Sequence, residues 1–347
     1  MNNVHTFKNM HGNDGRVYMK PWSTEIKKDN CHVKAKRWNL CQLNEQIKMI
    51  TLIMFTLAGC LTMVVGCATK ESAGVQRQRF IHLLESEARS NTGWQRIHAA
   101  DALLDHGQRQ VAAELLEAEA DTAAPPYRIG VWRVLARAAG TAAERQNFKE
   151  RIRRDLLDLQ SPDRLHAAES LAKLGLETPA ERPAIKQWLA SADEATSVYL
   201  LWLLVLSDNS SERAGDETRL ANLLDSTNIL ARLRAGFVLG RIQPISTASL
   251  EKLKDRLKSE PEDSAVRPYL LGAVLLHSPR NSASAAEFRR QLAGYLVKGK
   301  PHEQMEAATV LSQCGALEAR SGLTRLLENT QADARIGAAS GLLYLLQ

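Results

Sequence analysis

From about residue 77 onward, apolar residues recur three and four apart, in bursts separated by breakers. The clearest burst is Asp163–Gly175, D-R-L-H-A-A-E-S-L-A-K-L-G. Leu165, Ala168, Leu171 and Ala172 fall on one helical face there. Altered copies stand at Arg96–Leu103 and Asp333–Leu342. Their shared skeleton is Arg, Ala three residues on, a second small residue, then Leu three further on.

The second small residue defines an anchor column: Ala100, Trp132, Ala168, Trp202, Gly236, Gly272, Ala308 and Ala339, spaced 32, 36, 34, 34, 36, 36 and 31 residues apart. Arg stands four before it at Arg96, Arg128, Arg164, Arg232 and Arg335. An apolar residue stands three after it at Leu103, Leu135, Leu171, Val205, Leu239, Leu275, Leu311 and Leu342. A fixed period of this size marks a stacked array. Paired small residues let neighbouring helices approach closely, while the two Trp anchors predict wider separation, or a turned helix, in their units. Between anchors runs a second amphipathic stretch, such as Val111–Ala118, Phe148–Leu159 and Leu250–Leu257. Pro and Gly punctuate the series, with Gly140, Gly175, Gly240 and Gly315 following anchor segments. No period-two alternation is long enough for a strand. The expected fold is all-α, a right-handed α-solenoid of about eight helix–turn–helix repeats, each burying its apolar face on its neighbours.

This pattern resembles the HEAT-repeat family in its short bacterial form, like the repeats of phycobilisome lyases. The resemblance rests on Asp163-Arg164-x-x-Ala167-Ala168-x-x-Leu171 with Gly175, and on Asp333-x-Arg335-x-x-Ala338-Ala339-x-x-Leu342. It covers about residues 75–347 and is sharp in the first, third, fifth and eighth units. The period also suits tetratricopeptide repeats, whose W-x2-L-G-x2-Y pattern is absent. The resemblance implies a scaffold that binds another macromolecule, with no catalytic residues and no cofactor.

The overall charge of +6 suggests an anionic partner until it is located. Residues 1–48 carry nine of the 45 basic and four of the 39 acidic residues, and 49–69 carry none, leaving 36 against 35 in the repeats. A nearly neutral array argues against nucleic acid, which needs clustered positive charge.

Met49–Gly66 is uncharged and apolar, ends at Cys67, and is followed by polar Ala68-Thr69-Lys70-Glu71. It reads as an export signal with a lipoprotein-type box ending at Cys67; Leu57-Ala58-Gly59-Cys60 offers Cys60 as the alternative. A plain membrane anchor of about twenty apolar residues is a further reading. Each reading exports and tethers the repeats; in a Gram-negative cell, Ala68 after Cys67 resembles sorting to the outer membrane, facing the periplasm. The expected organisation is a polar 1–48 (disordered, or preceding the true start near Met49 or Met54), a leader at 49–67, a short tether at 68–76 and the repeats at 77–347.

No phosphate loop, nucleophile elbow or catalytic acid pair is recognisable. His98 with Asp101 and His166 with Glu169 share a repeat column, a spacing that suits metal sharing but reads better as helix-face charge contacts. The Arg column reads as structural, pairing with acids of the adjacent unit and with helix-end carbonyls, and Asp163 and Asp333 read as helix caps. Arg96, Ala100, Arg164, Ala168, Arg232, Arg335 and Ala339 are therefore repeat-forming positions. Tyr199 and Trp202, in the apolar stretch Val198–Leu206, and Tyr344, in the greasy C-terminus, are candidate contacts for a protein partner. The expected function is a non-enzymatic envelope scaffold for protein–protein interaction, with no metal and no small-molecule substrate. The alternatives are an accessory subunit of a transporter or envelope enzyme, docked through its C-terminal helix, and a solenoid enzyme on envelope polymers.

Overall fold

Each burst of apolar spacing is a helix. In the computed structural model, which describes residues 71–175, 180–207 and 211–347, these residues are all-helical, with no strand among them. The leader, with Cys60 and Cys67, lies outside the described residues. The helices are α1 (Ala73–Ser90), α2 (Gly93–Asp105), α3 (Arg109–Leu116), α4 (Tyr127–Ala138), α5 (Ala142–Leu157), α6 (Arg164–Lys173), α7 (Arg182–Leu189) and α8 (Glu194–Leu206). There follow α9 (Ser211–Asn222), α10 (Ile229–Leu239), α11 (Thr247–Ser259), α12 (Arg267–Leu276), α13 (Ala283–Lys298), α14 (Pro301–Gln313), α15 (Arg320–Leu326) and α16 (Ala332–Tyr344). None is long and apolar enough to cross a membrane.

Local chemistry sets the helix ends. Thr141 and Glu144 form a reciprocal capping box at α5. Asp193 accepts from the Thr196 N–H at 2.9 Å and starts α8. Gly175 and Gly315 close α6 and α14 with φ of 64° and 68°, a conformation that a side chain would strain. The span expected as a tether at 68–76 is already helical from Ala73, where the Ser72 hydroxyl caps Val75 N–H at 3.3 Å. Two expected caps are corrected. Asp163 is fully buried and makes no cap bond; its carboxylate instead accepts from Arg128 Nε at 2.5 Å. Asp333 lies inside the first turn of α16, whose N-cap is Gln331.

The even-numbered helices carry the anchor column, and each packs beside the next. Small residues set the spacing. A Cβ added to Gly272 would come within 3.1 Å of Val310, and one on Gly337 within 3.0 Å of the Met305 Cα. Ala99–Ala100, Ala167–Ala168, Ala307–Ala308 and Ala338–Ala339 are fully buried. At the Trp anchors, Trp132 donates its indole N–H to Ala120 O at 2.7 Å, and Trp202 joins an aromatic run from Tyr199 to Phe237 and Tyr269.

The odd-numbered helices are more polar and form the outer layer. The even-numbered ones are buried nearly all round. In α8, every residue from Val198 to Val205 is buried, and in α12 so is Pro268–Leu275. A helix apolar on all sides must have neighbours on all sides, and α8 packs on α6, α7, α9 and α10, and α12 on α10, α11, α13 and α14. α16 packs on α14 and also on α1 and α2, so the run of even-numbered helices returns to its start. Two expectations change here. The anchor-helix face is not an open surface for a partner. The apolar C-terminal helix, offered as a docking element, is covered by the first two helices of its own unit.

Candidate functional site

Because the even-numbered helices close on one another, side chains two before, one after and five after the anchor column face inward. Acids and bases meet among these positions. α2 contributes Asp101 and Asp105, and α4 contributes Arg133 and Arg137. Arg133 donates to Asp101 at 2.6 Å and to Ser170 of α6 at 3.0 Å, and Arg137 donates to Asp101 at 2.8 Å. α6 contributes Glu169, which accepts from Lys173 at 2.7 Å. α10 contributes Arg241, which pairs with Glu306 of α14 at 3.0 Å and lies 3.5 Å over the Phe237 ring. Arg234 lies 4.9 Å over Tyr199, and Lys173 5.7 Å over Phe237. Contacts from α6 to α10 and from α10 to α14 pass over an intervening helix, as the inner side of a closed circuit requires.

The electrostatics match this pairing. Burial alone would raise Asp101, but the guanidiniums of Arg133 and Arg137 outweigh it and hold the carboxyl below the usual range. Glu169 behaves alike: burial opposes ionisation, yet Lys173 and Arg133 bring its carboxyl down to about 2. Asp105 is raised by burial, with the neighbouring Asp101 charge adding to it. Arg133 is 3% exposed and its Nε lacks a partner, so it depends on Asp101 and Ser170.

The two His–acid pairs part company. His98 Nδ1 lies 2.9 Å from Asp333 of α16, whereas His166 keeps its contact with Glu169 at 3.9 Å and its ring lies 4.9 Å from that of Trp94 of α2. Gly130 makes that second contact possible: a Cβ there would meet Trp94 and Ile97 at 3.0 Å. A small cavity of about 130 Å³ remains between α2, α14 and α16, lined by His98, Asp101, Asp105, Met305, Thr309 and Tyr344 among others.

Arg96, Arg128, Arg232 and Arg335 reach the helix-end region of a neighbouring pair. Arg96 pairs with Glu119 at 2.8 Å, Arg128 with Asp155 at 2.8 Å and Arg232 with Glu260 at 3.4 Å. Arg164 donates to Leu156 O at 3.0 Å and stacks 3.8 Å over Trp188. Arg335 pairs with Glu87 of α1 through two bonds, at 2.6 and 2.8 Å. Ala100, Ala168 and Ala339 are buried helix-contact positions. Tyr199 and Trp202 are buried core side chains, and Tyr344 is half-buried with its ring 4.7 Å from that of His106. None of the three is an exposed anchor.

Sequence reasoning missed Glu87, Glu119 and Asp155 as a set. Each stands thirteen residues before the anchor of its own pair, and each receives the Arg of the preceding anchor helix. That fixed offset was the available signal.

An open groove of about 770 Å³ lies on the outer layer, where α13 passes the loop between α11 and α12. Glu262, Asp263, Arg267, Glu287, Arg290, Tyr295, Lys298 and Glu303 line it, with Leu271 at its floor. Tyr295 donates to Glu262 O at 3.3 Å, and Arg267 is held by Leu257 O and Glu260 O at 3.0 and 2.8 Å. No ion pair among the described residues engages Lys298 or Asp263. The groove is therefore mixed in charge and partly apolar.

No family model matches the chain, and no curated protein matches it. Among solved structures, a crystal structure of an engineered protein is similar at 17% identity over 80% of this chain and 86% of that one, with a TM-score of 0.30. A likeness that loose carries no argument about fold or function.

Proposed function

We propose that the chain is a non-enzymatic helical-repeat scaffold, an α-solenoid of about eight two-helix units, held at the cell envelope by a lipid on Cys67. Its task is to bind a protein partner on its outer layer. The observation that supports this most is the fate of the inner titratable groups. Asp101, Arg133, Arg137, Glu169, Lys173, Arg241 and Glu306 are engaged in ion pairs between or along the even-numbered helices. Groups used in this way hold neighbouring units in register rather than waiting on a substrate. The outer groove along α13 has the mixed charge and apolar floor that a polypeptide segment needs.

Two measurements test the reading. Metabolic labelling with a fatty-acid analogue on wild type, Cys67→Ser and Cys60→Ser tests the tether. Loss of label only in Cys67→Ser is expected, and label retained in that variant removes the lipid from Cys67. Recovery of partners from solubilised envelopes tests the binding face. Arg290→Glu with Lys298→Glu should deplete a specific partner that wild type retains. An unchanged partner set would move the binding face away from this groove.

A further inference from the structure

The junction between α16 and the pair α1–α2 differs from every other junction in one respect: no peptide chain crosses it. Its chemistry, however, repeats that of the covalently linked junctions. Arg335 meets Glu87 as Arg96 meets Glu119 and Arg128 meets Asp155. His98 meets Asp333 at 2.9 Å, and His106 Nε2 lies 3.1 Å from Ser340 Oγ. Both sides also carry buried apolar side chains, such as Leu84 on α1 and Leu343 on α16. Parting this junction exposes two unlike surfaces, an α16 face and an α1–α2 face. Both must be covered again, and each fits only the other.

We propose that this seam is exchangeable between two copies of the chain. α16 of one copy leaves its own α14 and takes the place of α16 in the second, on that copy's α14, α1 and α2, and the second returns the exchange, so that each circuit keeps its junctions. The contact is head to tail, and closure uses both faces of both chains, so no apolar surface is left over. Within one chain the two faces are held at high effective concentration, so the single-chain circuit dominates when protein is dilute. The two-chain form gains at high local density, such as a crowded membrane surface.

Charge reversal gives a direct test with the full chain in detergent. Glu87→Arg leaves two arginines to meet at its own seam, and Arg335→Glu leaves two glutamates. Neither variant closes favourably on itself. Mixed, they supply one Arg–Glu pair at each of two seams. The variants carry different affinity tags and are captured on both tags in turn, and native mass spectrometry reads the mass. A two-tag species of twice the mass of the single processed chain is expected, about ten-fold or more above that from Glu87→Arg mixed with itself. Equal yields from the unlike and the like mixtures would overturn the proposal. The cis double variant Glu87→Arg/Arg335→Glu should restore a single-chain species. Should the reversed chains not fold, two differently tagged wild-type chains are incubated together over a range of concentrations. A two-tag, two-chain species that rises with concentration and reverts on dilution supports exchange, and its absence at every concentration overturns it.

Discussion

Glu169 offers the sharpest measurement of what the inner charges contribute. Its carboxylate sits 2.7 Å from the Lys173 ammonium and is 18% exposed, so solvent screens it little. Burial raises its pKa; Lys173 and Arg133 more than reverse that and bring it to about 2 from 4.5. A displacement of that size corresponds to about 3 kcal/mol of stability at neutral pH. The sign follows from the direction. Because the folded carboxyl titrates below the unfolded one, its stabilisation is complete above the unfolded value, and it drains away as pH falls toward the folded one. Glu169→Gln keeps the shape and removes the charge. Urea unfolding followed by tryptophan fluorescence at pH 7 should show the variant about 3 kcal/mol less stable than wild type, and the gap should roughly halve by pH 3. A gap under about 1 kcal/mol at pH 7, or one equal at pH 7 and pH 3, would refute the assignment of these charges to a buried, mutually dependent pair.

Other perturbations probe different parts of the unit. Gly337→Ala places a Cβ 3.0 Å from the Met305 Cα; α14 and α16 must part slightly, and thermal unfolding should show a loss of about 1–3 kcal/mol. Leu203 is fully buried in α8, so Leu203→Ala should cost about 2–5 kcal/mol in the same assay; a smaller loss would mean the inner layer is looser than described. His106 is buried beside Arg77, Ser340 and Tyr344, and burial lowers its imidazole to about 4 from 6.5. A base depressed in this way contributes stability that is present above the unfolded value and lost as pH falls through the folded one. Protection factors of α1 and α16 amides, with exchange corrected for its intrinsic pH dependence, should therefore fall between pH 6.5 and 4 in wild type and change less in His106→Gln.

Much of the fold was written in the chain. The Ala–Ala pairs of α2, α6, α14 and α16, with the apolar residue three past every anchor, marked the even-numbered helices, since those spacings make a face that only close helix contact can bury. The odd-numbered helices followed from their own apolar spacing. Closure was not legible by the same route, because periodicity describes a unit and its neighbours and is silent on whether the last neighbour is the first unit. The acid thirteen before each of the first three anchors held the clue. Glu87 occupies that place in the first pair, where an open array would leave it no Arg, and Arg335 in the last would have no acid. The C-terminal Leu342–Leu346 stretch was similarly ambiguous: greasiness states that something covers a helix, and only geometry shows that α1 and α2 do so. The inward charges were visible as columns, but their pairing depends on which helices meet across the interior. Gly130, by admitting Trp94 to His166, shows how one missing side chain decides it.

The meeting of α16 with α1 has a consequence for genetics as much as for physics. Arg77 near the start of α1 donates to the His106 carbonyl, and the His106 ring touches Tyr344 near the end of α16. The two extremities of residues 71–347 thus stand side by side, about where a linker would join two consecutive helices. A gene that joins them directly and begins elsewhere, for instance between α13 and α14, would encode the same neighbours in rotated order. Such permuted chains tend to be tolerated where ends are close together, and within residues 71–347 the packing alone does not dictate which helix comes first.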